Sequence, residues 1–160
     1  MTPEQSVVAT AVQAWTQNVE RADKLFSALS ESQLLKEIAP GKNRLIYLWG
    51  HLIAVHDAVL PLMGIGERRH PELDALFLTE ADKTAVALPS AADLKRHWDE
   101  VHGLLLTGFK TFTSSDWAQK HTAVSDEDFK TNPLRNRLAV LLSRTNHLSY
   151  HLGQAVLATK

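Results

Sequence analysis

Apolar residues recur at helical spacing along most of the chain, and no stretch shows the strict alternation typical of a strand. After Thr2 and Gln5, which form a capping-box pattern, one stripe predicts an amphipathic helix of about seven turns: Val8, Val12, Trp15, Val19, Ala22, Phe26 and Leu29. After Ser90, another predicts a long third helix: Leu94, Trp98, Val101, Leu105, Phe109 and Phe112.

Two further long helices complete the predicted architecture. The second runs from about Asn43 to Met63, and the fourth opens at Asn132–Pro133 and continues to about Ala158. Long connections follow helices two and three, at Glu67–Pro89 and Thr113–Pro133. The pattern therefore predicts an all-α four-helix bundle whose long connections allow an order other than simple up-and-down.

The second predicted helix is apolar nearly all round. Such a helix must be covered on both sides, either by a loop of the same chain or by a second subunit. We expect a homodimer, with contacts on the side away from His51: Ile46, Trp49, Ile53 and Leu60.

Composition narrows the class of protein. The 160 residues suit one domain spanning 1–160, and a net charge of −1 without a basic cluster gives no electrostatic case for nucleic acid. The polar N-terminus is unlike a signal peptide, and the apolar second helix is expected to be a buried helix and not a membrane span. We expect a cytoplasmic protein. Without cysteine, any protein metal ligand must be His, Asp or Glu.

Histidines carry the candidate chemistry. His147 and His151 lie one turn apart on the same helix face, so their rings can converge on one ion. His51 in the second helix can complete a facial triad for a divalent metal, although a hydrogen-bonded core histidine explains it equally well. His56 lies about 140° round from His51 and is expected at a surface or interface. The other histidines are expected not to be ligands: His70, His97, His102 and His121.

These residues also resemble a known family. Trp49-Gly-His-Leu52 followed by His147-x-x-x-His151-Leu-Gly-Gln154 looks like the DinB superfamily, over essentially the whole chain. The resemblance implies a bundle of unusual helix order, frequent homodimers, and a metal bound by His51, His147 and His151. Families of this kind include thiol S-transferases, so it also implies that a low-molecular-weight thiol can be a cofactor, without fixing the reaction.

We therefore expect a metal-dependent enzyme acting on a small-molecule substrate, either a thiol S-transferase or a hydrolase. Zn²⁺, Ni²⁺, Mn²⁺ and Fe²⁺ all suit three imidazoles, and the ion's charge would lower the pKa of bound water or of a thiol. Gln154 is a candidate to orient a ligand, and Tyr47 and Arg44 to meet the substrate, although ordinary packing at the rim is the more common role for each such residue taken singly. The alternative is a dimeric protein that binds a metal or small ligand without turnover.

Overall fold

The computed structural model describes residues 1–84 and 87–159, and every regular element within them is helical. Residues 85 and 86 of the predicted connection Glu67–Pro89 lie outside the described residues. The helices are α1 Pro3–Ser27, α2 Glu31–Leu34, α3 Leu45–Asp57, α4 Val59–Met63, a π-helical turn Ala75–Thr79, α5 Ala91–Thr111, α6 Ser114–Ala118, α7 Asp126–Thr131 and α8 Arg137–Ala158. The all-α prediction is confirmed.

Side-chain caps explain where several helices begin. Thr2 and Gln5 form the predicted capping box of α1, and the Ser90 hydroxyl accepts a hydrogen bond from the Asp93 backbone N–H at the start of α5. The predicted start of the last helix at Pro133 is wrong. The Asn136 side chain caps the helix by accepting from the Ala139 N–H at 2.9 Å, whereas Asn132 closes a local turn with Leu134.

The predicted second helix is not continuous. It is divided at Ala58 into α3 and α4, and it ends at Gly64 in the left-handed conformation, with φ of 71°. Pro61 explains the division, because it has no N–H to donate to the Asp57 carbonyl one turn earlier and its ring crowds that carbonyl.

The long helices surround one apolar core. α1 packs mainly on α8 and α5, and α3 packs mainly on the same two helices. The core contains all four tryptophans, and Phe26 of α1 stacks on Trp49 of α3 with ring centroids 5.4 Å apart. Because α3 packs on α8, the segments that carry the candidate histidines lie side by side.

The chain itself covers both sides of α3 and α4. The four residues proposed as dimer contacts are all buried within it: Ile46, Trp49, Ile53 and Leu60. Those contact assignments are therefore wrong, and the two-sided apolarity of this segment needs no second subunit. Leu45–Met63 is also the one described helical segment long and apolar enough to cross a membrane, but 72% of its most apolar window is buried, as in the core helix of a soluble protein.

Candidate metal centre

Three histidines meet where α3 packs on α8. His51 Nε2 lies 3.2 Å from His147 Nε2, and His151 Nε2 lies 3.1 Å from the same atom. One ring nitrogen from each of the three lies within 4.8 Å of the others, and each residue is half-buried. Among the described residues, they are the one group of three or more His, Asp or Glu side chains close enough to hold an ion.

Hydrogen bonds on the far side of two rings fix which nitrogen carries the proton. His51 Nδ1 lies 2.9 Å from the Phe77 carbonyl oxygen, which can only accept, so Nδ1–H is the donor. His151 Nδ1–H likewise donates to Gln154 Oε1 at 2.8 Å. In the neutral rings, both Nε2 atoms therefore direct lone pairs toward the centre of the group.

A cation would satisfy the three ring nitrogens better than hydrogen bonds among the rings do. A proton on His147 Nε2 can satisfy the lone pair of one neighbour and leaves the other facing a nitrogen about 3 Å away. A divalent ion would accept lone pairs from all three rings, with Phe77 and Gln154 orienting two of them from behind. His147 Nδ1 is buried without a hydrogen-bond partner in the described residues.

Burial keeps the histidines of α8 neutral. Burial, together with smaller contributions from charge repulsion by His151, His51 and Arg144, lowers the pKa of His147 to about 4. Burial also lowers the pKa of His151, against a smaller opposing effect of the Gln154 hydrogen bond. Both rings are therefore unprotonated at neutral pH and have a lone pair available for a metal.

A glycine brings the Phe77 carbonyl to His51. A Cβ atom placed on Gly50 would lie 2.3 Å from Cζ of the Phe77 ring, so only glycine lets this ring rest on the α3 backbone. The π-helical turn Ala75–Thr79 thus lies directly on α3, one residue before the first histidine. Packing against the Phe77 ring therefore explains the glycine between Trp49 and His51.

Arg44 and Tyr47 fasten the segment that follows this turn. The Arg44 guanidinium pairs with Asp82 at 2.6 Å, and its backbone N–H donates to the same carboxylate. The Tyr47 hydroxyl donates to the Glu80 carbonyl at 2.7 Å, and its ring stacks on His51 with centroids 6.4 Å apart. Both residues position the wall beside His51, and their contact with a substrate stays a prediction.

The surface or interface position expected for His56 is wrong. His56 is fully buried, and its Nδ1–H donates to His102 Nε2 at 2.7 Å, while His102 Nδ1–H donates to the Trp98 carbonyl at 2.8 Å. Burial lowers the pKa of His102 to about 4 and that of His56 well below its usual value. This second pair lies in the core apart from the three-histidine group, and neither ring belongs to that group.

Two parts of the site were missed in the sequence. The Phe77 carbonyl has no local signal, because a backbone oxygen becomes an acceptor for His51 only through tertiary packing. Arg144 had a signal: it lies three residues before His147 and so on a neighbouring part of the same helix face. It is half-buried, and its Nε has no hydrogen-bond partner among the described residues.

The comparison with known families covers the part of the chain that carries the three histidines. A family profile described as the DinB superfamily matches residues 14–155, a range that contains all three histidines and Gln154. The comparison with curated proteins gives no match.

Proposed function

We propose that this chain, which belongs to the DinB superfamily, is a divalent-metal-dependent enzyme that acts on a small molecule. His51, His147 and His151 are the proposed ligands. The observation that carries the proposal is the convergence of three Nε2 atoms, two of them on rings whose Nδ1–H groups donate to fixed oxygen acceptors.

Thiol S-transfer and hydrolysis are the reactions that such a centre supports best. An ion held by three neutral imidazoles keeps its full charge, and when bound it lowers the pKa of water or of a thiol ligand. Zn²⁺, Ni²⁺, Mn²⁺ and Fe²⁺ all accept imidazole ligands, and a low-molecular-weight thiol is the proposed co-substrate for S-transfer. The half-burial of all three histidines is compatible with approach of a small molecule from solvent.

The chain's own residues would hold this centre in shape. Phe77 and Gln154 fix the tautomers of His51 and His151, and the Tyr47 ring lies nearly parallel to that of His51. Because these groups are already in place, little side-chain ordering is left for the moment when an ion binds.

The first experiment measures metal content in untagged protein by mass spectrometry, with His51→Ala beside it. About one metal per chain, lost in the variant, supports the three-histidine site. His97→Ala, a half-buried histidine on α5 outside the group, is the matched control and should retain the metal. Absence of metal from the wild type, even after reconstitution, would remove the proposed function.

Turnover separates the enzyme from the alternative. A metal-loaded protein that transfers a thiol or hydrolyses a model substrate, and loses this activity with the metal, is an enzyme. A protein that retains the metal but converts no substrate would instead be a dimeric metal- or ligand-binding protein.

We further propose one domain, a homodimeric state and a cytoplasmic location. Because the structure buries the residues first assigned to the dimer contact, this state now rests on the resemblance alone. Sedimentation velocity at micromolar concentration tests it, and a monomer there would reject the dimer.

A further inference from the structure

The face of α8 that carries the two histidines continues through Arg144. With a rise of about 1.5 Å per residue, Arg144 lies about 4.5 Å from His147 along the helix axis. Burial lowers the pKa of the Arg144 guanidinium, but an arginine side chain stays charged in a protein. In the described part of the chain, no carboxylate pairs with it. A half-buried cation without a counter-ion therefore lies next to the three histidines.

A pocket of about 370 Å³ that Arg144 lines opens between α4 and α8. This volume is within the range of small-molecule sites. Its polar lining is basic or neutral, with Arg135 and His121 beside Arg144 and no carboxylate. Arg135 is more exposed and already pairs with Asp128 at 3.3 Å, so the unpaired charge of the pocket is that of Arg144.

The opposite wall connects this pocket to the histidines. Four half-buried residues recur at helical spacing from α3 through the break to α4: His51, Val55, Ala58 and Leu62. Leu62 lines the pocket, whereas His51 belongs to the three-histidine group. A partly open strip with apolar residues at its middle thus runs between the two sites.

We infer that Arg144 binds a carboxylate of the substrate while the reacting end of the same molecule lies at the three histidines. A planar guanidinium matches a carboxylate with two parallel hydrogen bonds, and one unpaired positive charge matches one negative charge. Along α8, His147 is about 4.5 Å from Arg144 and about 10.5 Å from Val140 in the pocket wall. A molecule with about four carbons between its two ends has a length within this range of axial distances. The inference rests on the proposed function and adds a substrate class to it.

The test uses two probes of equal length, 4-mercaptobutyrate and 4-mercaptobutan-1-ol. Titration calorimetry on zinc-loaded wild type should show tighter binding of the carboxylate by about tenfold or more, since a hydrogen bond to a charged group contributes that much. Arg144→Gln should abolish the preference and keep the zinc, and Arg144→Lys should retain part of it. Arg96→Gln, a charge-matched change at an exposed position on α5, should leave it intact. No preference in the wild type, or an unchanged preference in Arg144→Gln, overturns the inference.

A metal-free measurement separates this inference from the proposed function. The ¹⁵N resonance of the Arg144 Nε–H, identified by its loss in Arg144→Lys, is followed while butyrate or butan-1-ol is added to the wild type. A shift with butyrate alone supports the carboxylate site even if the protein holds no zinc, in which case the proposed function fails and the site stands. No shift with butyrate overturns the inference even if the zinc site is real, and this arm needs no folded Arg144→Gln.

Discussion

At the scale of single residues, the hydrogen bond from His151 Nδ1–H to Gln154 Oε1 prepares His151 as a metal ligand, because it fixes the tautomer of the ring. Gln154→Leu removes the acceptor without adding charge, so the ring loses its fixed tautomer. We expect a loss of metal affinity of about 10- to 100-fold, as is usual when such a partner is removed. Gln154→Glu keeps an oxygen in reach and should retain most of the affinity. Competition with a chelator measures both, and equal affinities in wild type and Gln154→Leu would contradict the assigned role.

The His56–His102 pair makes the metal-free protein sensitive to acid. The pKa of His102 is about 4 in the folded chain and about 6.5 when unfolded. A lowered folded pKa means that the unfolded state takes up the proton first. The stabilisation is therefore complete above pH 6.5 and is lost as the pH falls toward 4. Each such histidine should contribute a slope of about 1.4 kcal/mol per pH unit across this window.

His102→Gln isolates that contribution. Glutamine can still accept from His56 and donate to the Trp98 carbonyl, but it does not titrate. Urea unfolding of the metal-free protein between pH 7 and 5 should therefore show a smaller loss of stability in the variant, by about 1.4 kcal/mol per unit for this one group. The histidines of the metal centre contribute equally to both proteins, so identical slopes would show that His102 is not held neutral.

At the scale of elements, the π-helical turn Ala75–Thr79 is held against α3 at Gly50. Gly50→Ala places a methyl group inside the Phe77 ring, so the turn must move and the Phe77 carbonyl moves with it. We expect a destabilisation of about 1–3 kcal/mol together with weaker metal binding. Gly103→Ala on α5 is the matched control, because no atom lies near its added Cβ.

The control Gly103→Ala should be more stable than the wild type, whereas Gly50→Ala should be less stable. Alanine in an exposed helix interior gains about 0.5–1 kcal/mol over glycine, and Gly103→Ala should leave metal affinity unchanged. Thermal unfolding measures the stability of both variants, and competition with a chelator measures their metal affinity. If Gly50→Ala were as stable as Gly103→Ala, the contact between Phe77 and the α3 backbone would be too loose to position His51.

The elements also show how far sequence patterns determine a structure. The stripes of α1 and α5 and their Thr2 and Ser90 caps predicted those helices closely, since periodicity and capping act within a few residues. The start of α8 was missed because Asn132 and Asn136 are both good caps. Tertiary contacts favour the second: the Arg137 N–H donates to the Gln119 carbonyl at 3.0 Å. Pro61 is a local signal for the break at Ala58, but the continuous apolar run up to Met63 favoured one unbroken helix in the prediction.

At the scale of the whole molecule, the pairing of distant residues is what the sequence left open. The four-residue spacing of His147 and His151 indicated one face of a helix, but only the packing of α3 on α8 brings His51 to them. The packing of α3 on α5 likewise explains the error at His56, because its partner His102 comes from α5 and is 46 residues away in the sequence. Helix periodicity gives the direction of a side chain and does not give what another helix places there.

Because the three histidines come from two helices distant in sequence, a bound ion should stabilise the entire fold. An ion that binds only the folded chain adds about 4.1 kcal/mol when its free concentration is a thousand times the Kd. In a chain of this size each kcal/mol raises Tm by about 2–4 °C, so saturating metal should raise Tm by about 8–16 °C. His51→Ala should lose this shift, because the two histidines left on α8 no longer link that helix to α3. Scanning calorimetry with and without metal makes the comparison. A full shift in His51→Ala would mean that the ion binds α8 alone, and the three-histidine centre would have to be abandoned.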